Sequence, residues 1–341
     1  NNLIVKTSHP RRYCNMQSKA NTLPASTRFS QRGFDWRRYI VYVAFVAVFF
    51  YFSVTLYDEG FLSTNNLLNI ARQTAMIAIM AVAMTFVIGA AQIDLSVGSV
   101  AALSALISAL AMQAGLGMFG GIIAGLGTGA LIGLINGLLI TQIAIPAFLV
   151  TLGMMIITKG LAMWVTDTAP VPILNESFTF LFGSGDLGPI PVLLVWMVVI
   201  GIIGHVLLRK TAYGRRTLAV GGNEKAAEFS GVHVKRIKLL VMVGSGMLAG
   251  LAGMLYAGRM YSARFTFGEG DELSVIAAVI LGGTSLFGGT ATVIGTIFGA
   301  LMIGMINNGL IIMGLDVSQQ MVVKGLIIIL AVAFGKKAAQ R

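Results

Sequence analysis

Residues 117–137 read GMFGGIIAGLGTGALIGLING, an uncharged stretch with glycine at positions 117, 121, 125, 129, 133 and 137. A helix of this length and apolarity crosses the roughly 30 Å core of a bilayer. Glycine at every fourth position leaves one helix face bare, so a neighbouring helix can approach at backbone distance. Gly246 with Gly250, and Gly295 with Gly299, repeat the device on a smaller scale. Gly115, Gly117 and Gly120 spell GxGxxG, but no strand precedes them and apolar helices flank them, so they do not form a dinucleotide site. The rest of the chain agrees with a membrane reading. Of its 341 residues 56% are hydrophobic and 11% charged, where a soluble domain carries roughly 25% charged residues. The composition excludes soluble, coiled-coil and disordered classes and predicts an all-α integral membrane protein.

Apolar runs long enough to span lie near 38–57, 68–90, 95–113, 118–140, 147–165, 190–208, 237–257, 272–287, 290–312 and 319–335. The eighth is short and glycine-interrupted, which predicts a broken or partly re-entrant segment. Charge sets the orientation. The net charge of +11 invites a nucleic-acid reading, but nineteen of the 24 basic residues fall in three segments. The tail holds Lys6, Arg11, Arg12, Lys19, Arg28, Arg32, Arg37 and Arg38. The 209–238 stretch holds Arg209, Lys210, Arg215, Arg216, Lys225, Lys235, Arg236 and Lys238, and the C-terminus holds Lys336, Lys337 and Arg341. The loops with Asp58, Glu59, Asp167, Glu176 and Asp186 are poor in Lys and Arg. The positive-inside pattern therefore places both termini and 209–238 in the cytoplasm. Ten spans, six of them before 209–238, satisfy that placement. The chain divides into a polar, basic, disordered tail (1–37), a transmembrane domain (38–335) and a short cytoplasmic C-terminal tail (336–341). No secretory signal is read, because the first apolar run is too long for one. Met16 offers a start, which makes 1–15 an upstream extension.

The single cysteine, Cys14, excludes a disulfide framework and thiolate metal sites. No catalytic, metal or cofactor-binding residue is expected. Asp94 and Lys324 read as the only ionisable groups close to long apolar runs. Asp94, in Gln92–Ser99, lines a hydrophilic path at a helix break, or else Asp94 or Ser96 caps the third span by accepting its first backbone N–H bonds, and the two roles can coexist. Asn136 and Asn307 are single amides in apolar spans, either interhelical glue or groups that read hydroxyls. A weak internal repeat joins these positions. Residues 94–97 (DLSV) resemble 272–275 (ELSV), and 129–136 (GALIGLIN) resemble 299–307 (GALMIGMIN). The two copies run in opposite directions across the expected topology, as in inverted-repeat transporters. Asp94, Ser96, Asn136, Glu272 and Asn307 are thus the path candidates. The Gly282–Gly289 stretch lacks the Lys and Ser/Thr of a phosphate loop and reads as a turn or helix break.

Four stretches occur in order: 94–99 (DLSVGS), 145–153 (IPAFLVTLG), 214–224 (GRRTLAVGGNE) and 281–289 (LGGTSLFGG). Together they resemble the membrane permease of bacterial ABC importers for simple sugars, the ribose/xylose/arabinose family, over about residues 38–335. The resemblance implies a bacterial inner-membrane protein that moves a monosaccharide and hydrolyses nothing itself. It implies as partners a second permease (homodimer or heterodimer), two cytoplasmic ABC ATPase subunits or one fused ATPase, a periplasmic sugar-binding protein and the lipid bilayer. The basic loop reads as the contact with the ATPase. Gly221–Gly222 predicts a turn, Asn223 an N-cap, and Glu224 a first-turn acid; the helix runs 224–230 and stops at Gly231. Ala226–Ala227 followed, after three residues, by Gly231 is similar to the EAA-type loop that docks into an ATPase groove. Phe229 would then be an apolar anchor beside Ser230, although Lys225 stands where that pattern has Glu. Two other classes compete. An intramembrane enzyme needs partners that His205 and His233 lack. An ion-coupled secondary transporter or channel for a small polar solute needs several intramembrane acids, for which only Asp94 and Glu272 are available.

Overall fold

The computed structural model describes residues 40–339. The expected tail at 1–37, with Cys14 and Met16, lies outside the described residues, as do Gln340 and Arg341. In chain order the helices are α1 (Ile40–Thr55), α2 (Thr64–Gly89), α3 (Val97–Ala111), α4 (Gly117–Gln142), α5 (Ala147–Val165), α6 (Glu176–Thr179), α7 (Val192–Lys210), α8 (Ala212–Gly222), α9 (Glu224–Phe229), α10 (Val234–Met260), α11 (Asp271–Leu281), α12 (Val293–Ile312) and α13 (Val317–Ala339). Short π-helical turns occupy Met112–Leu116 and Phe180–Ser184. Four two-residue strands pair antiparallel: β1 (Val171–Pro172) with β4 (Ser262–Ala263), and β2 (Asp186–Leu187) with β3 (Ile190–Pro191).

Six helical runs are long and apolar enough to cross a membrane: Thr64–Gly89, Val97–Gln142, Ala147–Val165, Val192–Lys210, Val234–Met260 and Val293–Ile312. The second, 46 residues long, is two arms. Gly115 (φ 85°) and Gly117 (φ 66°) turn the chain back, and α3 then packs on α4. Local chemistry sets the other ends. Ser63 caps α2 and Thr292 caps α12, each hydroxyl accepting a backbone N–H at 3.3 Å, while Pro146 and Pro191 stand immediately before α5 and α7. α13 runs to Ala339, so its helix passes the boundary expected at residue 335.

α2 and α10 form the centre: every residue of α2 from Thr74 to Gly89 is buried, while α4, α5 and α7 turn apolar flanks outward. The glycine stripe of α4 is explained by α10. A Cβ on Gly129 would collide with the Gly246 carbonyl, one on Gly246 with the Gly129 carbonyl, and one on Gly133 with the Met242 carbonyl. Gly295 and Gly299 of α12 meet the carbonyls of Gly282 and Ala278 in the same way. Gly117 and Gly121 take no part in the α10 seam. The first makes the turn with its positive φ, and the second abuts Met112. Replacing Gly129 with leucine should therefore destabilise the protein by about 3 kcal/mol through overpacking. Gly127→Leu, with open space at its Cα, should be silent. Thermal unfolding of the two variants in detergent checks this contrast.

The expected eighth span is indeed interrupted. α11 has eleven residues, about 16 Å, too few to cross, and residues 282–292 follow it as a loop. α10 has 27 residues, about 40 Å, with the 211–233 segment at one end and the β1–β4 pair at the other.

Candidate functional site

Two polar centres stand out in this apolar framework. The first lies at the break between α2 and α3, where Ala91 takes φ 56°. Asp94 follows it and is 2% exposed. One carboxylate oxygen, Oδ1, accepts from the Ser96 amide at 3.0 Å and from its hydroxyl at 2.6 Å. The other, Oδ2, accepts from Ser245 Oγ of α10 at 2.7 Å. Ser96 Oγ in turn accepts from Asn136 Nδ2 of α4 at 3.1 Å. The carboxylate thus pins the break to the two helices joined by the glycine seam. Three of the five path candidates, Asp94, Ser96 and Asn136, come together here, and all are buried. Ser96 occupies the N-cap position of α3 without making a side-chain capping bond, because its hydroxyl is committed to Asp94. Of the two expected cap residues it is Asp94 that accepts a backbone N–H, that of Ser96. Ser245 was not anticipated from sequence, since a serine between Gly244 and Gly246 reads as one more small packing residue.

Asn307 and Glu272 do not join this hub. Asn307 borders a small cavity with Ser274 and Lys324, and its Oδ1 is buried without a partner among the described residues. The neighbouring Asn308 instead makes a reciprocal amide pair with Asn66, at 2.9 and 3.0 Å, that ties α12 to α2. Lys159 corrects the expectation that Asp94 and Lys324 were the only ionisable groups near long apolar runs. It lies inside α5 and donates to Glu269 Oε1 at 2.6 Å. No group of His, Cys, Asp and Glu among the described residues is arranged to hold a metal.

The second centre is the 211–233 segment. Thr211 caps α8, its hydroxyl accepting from the Gly214 amide at 3.3 Å. Asn223 Oδ1 accepts from the Ala226 amide at 3.0 Å and opens α9, with Glu224 in the first turn. Gly231 follows with φ 81°. Six residues cannot hold a helix alone in water, and α9 does not stand alone. Ala227 packs with Val220 of α8 and with Val234 and Ile237 of α10, and Lys238 Nζ bonds both Glu224 carboxylate oxygens at 2.8 Å. Of the two alanines likened to the EAA-type loop, Ala227 accordingly turns inward. Ala226, Ser230 and Phe229 face out, and Phe229 is 92% exposed.

Gly221 and Gly222 are not the expected turn but the last residues of α8. The reason is tertiary: a Cβ on Gly221 would collide with the Gly89 carbonyl at the end of α2. The same carbonyl accepts from the Gly289 amide at 3.1 Å. The end of α8 is thus held by backbone contact against the α2 terminus and the loop after α11. Tyr213 of α8 also stacks on Phe86 of α2, with centroids 5.8 Å apart. Burial pushes its phenol up to about 12, so it stays neutral. α8 thus abuts the chain five residues before Asp94. Beside α9 opens a cleft of about 490 Å³, walled by Gln92, Thr141, Phe148, Glu224, Lys235 and Lys238 among others.

Residues 66–332 match the family described as branched-chain amino acid transport system, permease component. The chain is 44% identical to the ribose import permease protein RbsC of Bacillus subtilis (strain 168), over 83% of this chain and 88% of that one. It is 41% identical to the Escherichia coli (strain K12) ribose import permease protein RbsC, over 83% and 89%. It is 37% identical to the L-arabinose ABC transporter permease protein AraH of Azospirillum brasilense, over 89% of each. No solved structure matches the chain.

Proposed function

The chain belongs to this family of permease components, and on that premise we propose that it imports a monosaccharide, a pentose first, with a hexose or polyol next. It is a multi-pass inner-membrane subunit of an ATP-driven importer and not itself an enzyme. ATPase and periplasmic binding-protein partners belong to such an importer. Two permeases, identical or not, working with two ATPase subunits or one fused ATPase is our proposed assembly. The carrying observation is α9. A short helix is braced from within by Ala227 and displays Phe229 outward, the form of a docking element for a cytoplasmic ATPase.

The proposed topology has ten crossings, the eighth made by α11 together with the inward-folded loop before it, with both termini and 211–233 in the cytoplasm, as the distribution of basic residues favours. The internal repeat has a packing counterpart. α4 lies along α10, and α12 lies along α2, the exchange expected if α2–α3–α4 and α10–α11–α12 are inverted copies. In this reading Asp94, Ser96 and Asn136 lock the first break, and the path runs elsewhere.

Reconstitution in lipid with its ATPase and binding-protein partners provides the test. Hydrolysis should rise several-fold with one member of a monosaccharide panel. No stimulation by any of them would overturn the sugar assignment.

A further inference from the structure

Outside the cytoplasmic segments the chain keeps five basic residues: Arg72, Lys159, Arg259, Arg264 and Lys324. Lys159 and Lys324 lie within α5 and α13. Lys159 is six residues short of the Val165 end of α5, about 9 Å inside it. Its partner Glu269 belongs to the loop between α10 and α11, which folds inward until Gly268 packs on Gly98 in the first turn of α3. Thr158, beside Lys159, donates to Ser99 Oγ at 2.7 Å and places the pair at the same level. The two side chains are 42% and 58% exposed. Glu272 follows in the first turn of α11, and the cavity bordered by Ser274, Asn307 and Lys324 comes next. Polar groups therefore run in a strip from the exposed Lys159–Glu269 pair at the outer face of α5 through the half-buried Glu272 and Lys324 to the buried Ser274 and half-buried Asn307.

Lipid cannot cover such a strip cheaply, because each charge facing hydrocarbon costs several kcal/mol. The exposed residues of α7 between 198 and 206, by contrast, are all apolar: Val198, Val199, Ile202, Ile203 and Val206. We propose that the strip is the water-lined wall of the sugar path, closed on its far side by the second permease, and that Lys159 and Glu269 read the substrate's hydroxyls. This rests on the transport reading above. A neutral polyhydroxy substrate needs donors and acceptors without a net field, and an ammonium–carboxylate pair supplies both. In the Asp94 hub both carboxylate oxygens are taken up by Ser96 and Ser245, and Asn136 Oδ1, without a partner among the described residues, is buried.

Cysteine accessibility tests this in the assembled transporter in lipid, on a Cys14→Ser background that removes the one native thiol. Leu152 and Met163 lie seven residues before and four after Lys159, on its flank of α5. Ile157 lies on the opposite flank. All three are exposed, at 39%, 37% and 55%. A charged, membrane-impermeant maleimide should modify Leu152→Cys and Met163→Cys at least about tenfold faster than Ile157→Cys. Lys159→Met and Glu269→Gln should each lower uptake about tenfold or more, with expression and elution volume unchanged. Equal labelling of the two flanks would overturn the water-lined wall, and wild-type uptake by Lys159→Met would overturn the hydroxyl-reading role. Failure of the transport reading itself shows separately, as hydrolysis in the unsubstituted transporter that no monosaccharide stimulates.

Discussion

Phe229→Asp is expected to abolish co-purification of the ATPase and to reduce sugar uptake to background, while the membrane domain still inserts. Phe229 is 92% exposed at the end of α9, so nothing in the chain's own packing depends on it. A large aromatic side chain displayed beside the small residues Ala226 and Ser230 suits a buried position in a partner's groove. Truncation of such an interface residue costs about 2–4 kcal/mol, roughly 30- to 1,000-fold in affinity. A carboxylate placed there would also have to be desolvated, which moves the loss to the upper end of that range. Ala226→Arg should act similarly by obstructing the approach. Ala227→Arg is a different experiment, because it drives a guanidinium into Val220, Val234 and Ile237. That variant should unseat α9 itself and make the 223–232 segment sensitive to protease. Pull-down with the ATPase and limited proteolysis separate the two effects. Undiminished ATPase binding by Phe229→Asp would move the docking surface away from α9.

α9 is also where local sequence and structure agree best. An N-cap asparagine, a first-turn glutamate and a glycine with positive φ act over a few residues, so no distant contact is needed to read them. The glycine period of α4 was legible for the same reason, but its partner was not. Nothing in a single sequence pairs Gly129 with Gly246, and that match exists only in the packed helices. Gly221 and Gly222 mislead a local reading. Glycine pairs usually mark turns, yet here the missing side chain admits the Gly89 carbonyl to a continuing helix. Lys159 escapes notice because one cation hardly alters the mean hydropathy of residues 147–165. Its significance comes from Glu269, 110 residues away. Asp94 was visible as a polar interruption, but Ser245, which decides its environment, is 151 residues distant.

That dependence makes Asp94 the position where chemistry and packing separate most clearly. Asp94→Leu leaves the Ser96 amide and hydroxyl without their acceptor and Ser245 Oγ without a partner, all buried. Removing one member of such a buried network costs about 3–5 kcal/mol. The break before α3 should loosen, and uptake should fall to background together with the unfolding temperature. Asp94→Asn keeps the shape. Its oxygen still accepts from Ser96, and its amide can donate to Ser245 Oγ, which needs only to rotate its hydrogen. The expected cost is about 1 kcal/mol, with most of the uptake retained. Ser245→Ala leaves Oδ2 without its donor and should cost about 1–3 kcal/mol. Combined with Asp94→Asn it should prove non-additive, because the two residues share one contact. Thermal unfolding in detergent alongside uptake in vesicles gives both quantities for each variant. If Asp94→Asn were as inactive as Asp94→Leu while unfolding at the wild-type temperature, the negative charge itself would be required. The hub would then belong to the transport path and could not be only the lock that holds α3, α4 and α10 in register.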